Sequence, residues 1–399
     1  MSGKSILIFG AGKIGRSFIG QLFGRAGYEV VFSDVDKALI EALNRQGSYR
    51  VILKGETDET ITVHNVRAID GYDPEQVVEE ISRASIMAVS VGKNFLGEII
   101  PLIAKGIERR HADFPDKPVD LILAENMRDA KVFVYNGLCG YLPNGFPLRT
   151  TLGLVETSIG KMVPIMTEED IRKDLLAVFA EPYNQLIVDK HGFLGGIPEV
   201  DGLVPKNNIA AWVDRKAFIH NMGHAATAYY GNYRHPEAKY IYEALEDTDV
   251  FAFVCAAMLQ SALVLQSVYP SDYTLESLEA HVDDLLRRFR NKALKDTIFR
   301  VGQDRIRKLG FDDRFMGIIR LAQQQSMDYS LIIEAMTYSF FFNATDENGN
   351  RSEADILFDS YKKRGIAFVL EKVCGLNATN DRYLIRLISN KFADYQTRR

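Results

Sequence analysis

The chain has 399 residues, of which 47% are hydrophobic and 25% charged, with a formal net charge of −5. That length and apolar content suit a folded protein of two or more domains. The mildly acidic balance excludes a general field for nucleic acid or an anionic membrane, so any phosphate site must be a local cluster.

Met1-Ser2-Gly3-Lys4 leads straight into a strand-like run, without the layout of a signal peptide. Ser5 to Phe9 reads as a buried strand and Lys13 to Ala26 as a helix. Glu29 to Ser33 is a second strand, and Asp36 to Gln46 a second helix. Tyr49 to Leu53 and Thr60 to Val66 predict an antiparallel insertion. Ser85 to Val91 and Leu121 to Leu123 are further buried strands, with the helix Leu96 to Arg109 between them, and Leu152 to Ser158 is one more. Strands alternating with helices imply a parallel α/β sheet. The segment Gly192 to Pro198 is rich in glycine and marks a boundary. Beyond it the patterns are long and helical: Ala210 to Tyr230, Glu237 to Tyr269, Leu275 to Arg290, Tyr329 to Phe342 and Asp355 to Val373. The expectation is a dinucleotide-binding domain over 1–196 and a mostly α-helical substrate domain over 197–399. No apolar run is expected to reach the roughly 18–20 residues that span a bilayer. Cys139, Cys255 and Cys374 lie far apart and form no CxxC pair, which points to a cytoplasmic setting.

Gly10-Ala11-Gly12-Lys13-Ile14-Gly15 is a GxGxxG loop. A buried strand precedes it and an amphipathic helix follows, the context of a Rossmann-type domain. Gly10 permits the tight turn, Gly12 lets a pyrophosphate approach the backbone, and Gly15 lets helix and strand pack closely. The helix N-terminus offers N–H groups to the phosphates. Asp34 ends the second strand, where a carboxylate accepts from both ribose hydroxyls. Asp36 is the better cap for the next helix. A 2′-phosphate would be repelled by Asp34, so NAD is expected over NADP.

Lys216, Asn221 and His224 fall on one predicted helix. At about 100° per residue they project into one broad sector. The ordinary alternative is a solvated lysine on an amphipathic helix. Trp212, Phe218, Ile219 and Met222 argue against it, because a lysine among apolar neighbours is snorkelling or desolvated. Gly223 is expected to open space beside them.

Lys-x4-Asn-x2-His after such a domain resembles the polyol-specific long-chain dehydrogenases. The likeness extends over Gly10 to Arg16, Glu125-Asn126-Met127, Asn221 to Ala225, Ala228-Tyr229, Gly231, Arg307-Lys308-Leu309 and Asp313-Arg314. The resemblance implies an NAD-dependent dehydrogenase with Lys216 as general base, and Asn126 and Asn221 as amide donors to the developing alkoxide. His224 would orient the lysine or a substrate hydroxyl, and Val91 and Asn126 would touch the cofactor. Chain length is similar to the sugar-phosphate branch of the family. That implies interconversion of mannitol 1-phosphate and fructose 6-phosphate, with a free polyol or a sugar acid as alternatives. A monomer or weak homo-oligomer is expected, without nucleic-acid or membrane partners.

The basic group Arg305, Arg307, Lys308 and Arg314 is the expected phosphate site, with Arg307, Lys308 and Arg314 its main members. The chain departs from the family at Ile159-Gly160-Lys161-Met162-Val163-Pro164, where Val-Asp-Arg-Ile-x-Pro is usual. Lys161 is expected to add positive charge there. No metal is expected. His220 and His224 stand at i,i+4, but Asn221 takes the place of the glutamate in HExxH.

Overall fold

The computed structural model describes residues 3–55 and 57–397. The strands are β1 (Ser5–Phe9), β2 (Glu29–Asp34), β3 (Ser48–Leu53), β4 (Glu59–His64), β5 (Val66–Asp70) and β6 (Ile86–Val89). They continue with β7 (Val119–Leu123), β8 (Leu152–Ile159), β9 (Val178–Ala180), β10 (Leu186–Asp189) and β11 (Leu203–Lys206). The main sheet has the order β11-β10-β8-β7-β6-β1-β2-β5. From β8 to β5 all neighbours run parallel, while β10 joins β8 antiparallel.

The sequences of the central strands explain this arrangement. SILIF, IMAV and VDLIL are almost wholly apolar, as strands buried on both faces must be. Alternate side chains feed two cores. Ile6, Ile8, Phe32, Ala88 and Ile122 face one layer, and Leu7, Phe9, Val31, Met87 and Leu121 the other. The chain leaves β1 toward β2 on one side and returns as β6 on the other. The carboxyl ends of β1 and β6 therefore form the switch point where open α/β sheets bind ligands.

The expected antiparallel insertion is present as β3 and β4, with β9 added in parallel. The edge strand β5 and the helix Pro74–Arg83, capped by Asp73, were not anticipated. The chain divides between Val213 and Asp214. The glycine-rich segment 192–198 lies inside the first unit, because it connects β10 to β11 of the same sheet.

The second unit is helical. The predicted helix over 237–269 breaks in two, since Asp247 caps a new start by accepting from Asp249 N and Val250 N. Gly365, at φ +105°, breaks the helix expected over 355–373. One expectation is corrected. Among the described residues the helix Thr248–Val268, with a mean hydropathy of 1.8, is long and apolar enough to cross a bilayer. It packs against the helices Met222–Arg234, Leu275–Phe289, Met316–Gln324 and Ser330–Tyr338, which makes it the core helix of the unit.

Candidate active site

In the first unit, the glycine loop follows β1. Gly10 has φ +92°, and a Cβ there would lie 2.9 Å from the Ser90 carbonyl oxygen. A Cβ on Gly15 would lie 2.0 Å from the Gly10 carbonyl oxygen, so helix and strand meet at a distance only glycine allows. A Cβ on Gly12 would meet nothing within 4 Å. Ala11 is buried, Lys13 is exposed, and Ile14 packs on the sheet core.

Asp36 caps the helix Lys37–Gln46 through Leu39 N. Asp34 leaves that cap alone. Its carboxylate accepts from Ala11 N at 2.6 Å, Val35 N at 2.8 Å and Asp36 N at 3.0 Å. Gly10, Gly12, Asp34 and Val91 line one cavity of about 310 Å³, joined by Tyr72, Phe95 and Leu102. The open backbone at Gly12, a carboxylate at the end of β2 and apolar walls together fit a dinucleotide. Asn126 is exposed just beyond β7, at the same end of the sheet as Gly10 and Val91. Its neighbour Glu125 is buried and accepts from Gly92 N at 2.9 Å. Lys161 is buried too. Its ammonium donates to Asn184 Oδ1 at 3.1 Å and sits over the Phe18 ring, so its charge is occupied inside the unit.

In the second unit, the expected helix over 210–230 has a discontinuity at the residues that matter. The helix Ile209–Arg215 passes into a π-turn, Lys216–Asn221, and then into the helix Met222–Arg234. The Met222 N–H reaches back five residues to the Ala217 carbonyl. In a π-turn residues five apart lie about one turn apart. Lys216 and Asn221 are therefore closer in angle than the α-helical reading placed them. The Phe218 carbonyl within the turn accepts from the Ser261 hydroxyl at 2.7 Å. Gly223 is needed for another reason than expected: a Cβ there would meet Met258 Sδ at 2.4 Å. The close approach is by the apolar core helix.

Burial, with Arg314 second, pushes the Lys216 ammonium down to about 8. Arg314 Nη1 donates to the Asn221 carbonyl at 3.3 Å, and its Nε to Asp313 Oδ1 at 2.8 Å. The His224 ring stacks on Phe289 with centroids 4.6 Å apart. Asp296 Oδ2 lies 3.2 Å from His224 Nε2, but the ring nitrogen is not aligned for a hydrogen bond. Burial, then the charges of Arg300, Lys308, Arg314 and Arg288, hold the imidazole pKa well below its ordinary range. His220 is buried and lowered in the same way, first by desolvation and then by Arg288.

The basic group does not gather as expected. Arg305 is fully buried, with Nε on Asp355 at 2.8 Å and Nη2 on Asp359 at 2.9 Å, so it is a core ion pair and not a phosphate ligand. Arg307 is exposed and pairs with Asp304 at 2.7 Å. Lys308 Nζ donates to the carbonyls of Val301, at 2.7 Å, and Gln303. Burial, with Arg314 second, pushes that ammonium down to about 7. Of these four cations, Lys308 and Arg314 act electrostatically on His224. Asp296, Arg288, Phe289 and Arg300 also belong to the surroundings of His224 and were not foreseen. No spacing in the sequence ties them to Lys216; only the folded chain brings them near. Among the described residues no group of three His, Cys, Asp or Glu side chains is placed to hold a metal ion.

A switch-point loop built for a dinucleotide, on a chain that also carries a desolvated lysine on the same helical run as an amide and an imidazole, is the equipment of a dinucleotide-dependent dehydrogenase. Comparison with known proteins agrees. Residues 4–202 match the mannitol dehydrogenase Rossmann domain, and residues 208–373 the mannitol dehydrogenase C-terminal domain. The chain is 33% identical over 380 residues to the mannitol-1-phosphate 5-dehydrogenase of Bacillus pumilus (strain SAFR-032), covering 94% of this chain and 97% of that one. In fold it is similar to the Pseudomonas fluorescens mannitol 2-dehydrogenase, solved as a ternary complex with NAD and D-mannitol. The TM-score is 0.76 at 14% identity, over 99% of this chain and 92% of that one. The chain belongs to the mannitol dehydrogenase family, NAD-dependent oxidoreductases acting on CH–OH groups.

Proposed function

We propose that this enzyme interconverts a hexitol phosphate and a ketose phosphate, mannitol 1-phosphate and fructose 6-phosphate. The observation that carries the substrate class is the charge around His224. Arg288, Arg300, Lys308 and Arg314 all act on that ring. Arg300 pairs with Asp296, Arg314 with Asp313 and Arg288 with Asp284, so a phosphate dianion would compete with these carboxylates for arginines that can bind it through two hydrogen bonds at once. The relative named above, a mannitol-1-phosphate 5-dehydrogenase, supports the same reading.

In the oxidative direction Lys216, as the neutral amine, takes the hydroxyl proton. Asn221, and Asn126 at the end of β7, donate their amides to the oxygen as it gains alkoxide character. His224 orients the substrate hydroxyl. Gly10, Gly12, Asp34 and Val91 hold the dinucleotide, whose nicotinamide accepts the hydride when bound. In the reductive direction the Lys216 ammonium returns the proton. A cytoplasmic location and a monomeric or weakly self-associating chain go with this reading.

The test compares kcat/KM for fructose 6-phosphate, fructose and a hexuronate with NADH. A phosphate preference of about a hundredfold or more is expected, the worth of one or two charge-assisted hydrogen bonds. Arg300→Met or Arg314→Met should erode it for fructose 6-phosphate more than for fructose. Faster turnover of fructose or of a hexuronate refutes the phosphate assignment and leaves a free-polyol or sugar-acid enzyme.

A further inference from the structure

We propose that Arg16 is a positioning residue for the cofactor's pyrophosphate, acting through the peptide groups of Ala11. The inference rests on dinucleotide binding at the glycine loop. Ala11 lies between Gly10 and Gly12. Glycine leaves the backbone free to turn, yet an N–H donates to a phosphate only in a narrow range of directions. Something outside the loop must fix what its own residues leave loose.

Two side chains of opposite charge do so. The Ala11 N–H donates to Asp34 Oδ2 at 2.6 Å, and the Ala11 carbonyl accepts from Arg16 Nε at 2.7 Å. The same guanidinium, through Nη1, donates to the carbonyls of Leu175 at 3.1 Å and Leu176 at 2.9 Å. One rigid, planar cation thus ties the loop to a segment 159 residues further along the chain. Its base is held as well, since the Arg16 carbonyl accepts from the Tyr49 hydroxyl at 2.8 Å. Tyr49 is fully buried, and this bond falls inside the π-turn Gly15–Gly20. Burial lowers the Arg16 pKa, and Tyr49, Asp34, Asp174 and Asp36 act against it, so the guanidinium keeps its charge where it sits.

A lysine could supply the charge but not the fork, because a single ammonium cannot meet Ala11 and the 175–176 carbonyls with the same planar geometry. That difference separates positioning from simple attraction to phosphate. The experiment uses the full chain with Arg16→Met and Arg16→Lys. It measures the NADH dissociation constant by fluorescence, inhibition constants for ADP and adenosine, KM and kcat, and the melting temperature.

Arg16→Met should weaken NADH and ADP by about tenfold or more, the scale of one charge-assisted hydrogen bond. Adenosine binding should hold, and KM for NADH should rise far more than kcat falls. Arg16→Lys should recover only a minor part. An unchanged NADH affinity in Arg16→Met, an equal loss for adenosine, or full recovery by Arg16→Lys overturns the proposal. If Arg16→Met does not fold, Arg16→Lys carries the test, with a severalfold loss for ADP but not adenosine expected. A wild-type chain that binds no NADH would instead defeat the dinucleotide reading itself.

Discussion

Lys216 should impose a single limb on alcohol oxidation, rising with pH to a plateau. Its ammonium is pushed from 10.5 to about 8, first by burial and second by Arg314. At pH 7 a group of pKa 8 is about one tenth neutral, against roughly three parts in ten thousand for an ordinary lysine. The site therefore gains on the order of 300-fold in available base. The sign follows from which form works. Oxidation needs the neutral amine, so kcat/KM should climb with pH and level off above about 8. Ketose reduction needs the ammonium, so its rate should fall through the same midpoint. Arg314→Met removes the second cause and should move the midpoint upward. Lys216→Ala should lower turnover by about 10²–10⁴-fold and abolish the limb. The assay is the pH dependence of kcat/KM in both directions, followed at the NADH absorbance. A wild-type profile flat between pH 7 and 9, or a limb that survives unchanged in Lys216→Ala, would refute the assignment of the base.

Asp34→Ala should narrow the preference for NADH over NADPH and also weaken NADH itself, because the carboxylate holds Ala11 N, Val35 N and Asp36 N; an unchanged kcat/KM ratio counts against Asp34 as the discriminator. Arg305→Met should cost about 3–5 kcal/mol in urea unfolding, since Asp355 is left buried without its counter-charge. Burial opposes ionisation of Asp355, but Arg305 outweighs it and holds the carboxyl below its usual range. That contribution is full above the unfolded carboxyl pKa and lost as pH falls through the folded one. Wild type should therefore lose stability in acid more steeply than the variant, and equal acid slopes would disprove the coupling. Prolonged EDTA treatment should leave turnover unchanged; activity lost to EDTA and regained with zinc would point back to His220 and His224.

The dinucleotide half was legible because its geometry is local. Gly10, Gly12, Gly15 and Asp34 sit at spacings that the strand, turn and helix themselves fix, and Asp36 reads as a cap from its position alone. The helix that carries Lys216, Asn221 and His224 was legible in composition but not in shape. Nothing between Trp212 and Met222 announces a π-turn, and the hydroxyl that bonds the Phe218 carbonyl within it comes from Ser261, far away in the chain. The basic group misled for a related reason. Arg305, Arg307, Lys308 and Arg314 are close in sequence, yet Asp355, Asp304, two backbone carbonyls and Asp313 engage all four. A sequence shows where charges are, and only the fold shows which are already matched. The apolar helix Thr248–Val268 was underestimated because its few polar residues hid its mean hydropathy of 1.8.

The π-turn at Lys216–Asn221 also sets a rule for insertions and deletions. Elsewhere in a protein a gained or lost residue is absorbed in a loop. Here one extra residue is stored inside a helix, and it determines the phase of everything after it. Deleting one residue between Lys216 and Asn221 would restore α-helical winding and leave the two about one turn apart, because five residues of π-turn and four of α-helix span nearly the same angle. Rewinding the turn as α-helix at the full count would instead turn Lys216 by about 100° relative to His224. The spacing from Lys216 to His224 is thus tied to the turn, and homologues that keep the chemistry should carry either this count with the π-turn or a count one residue shorter without it.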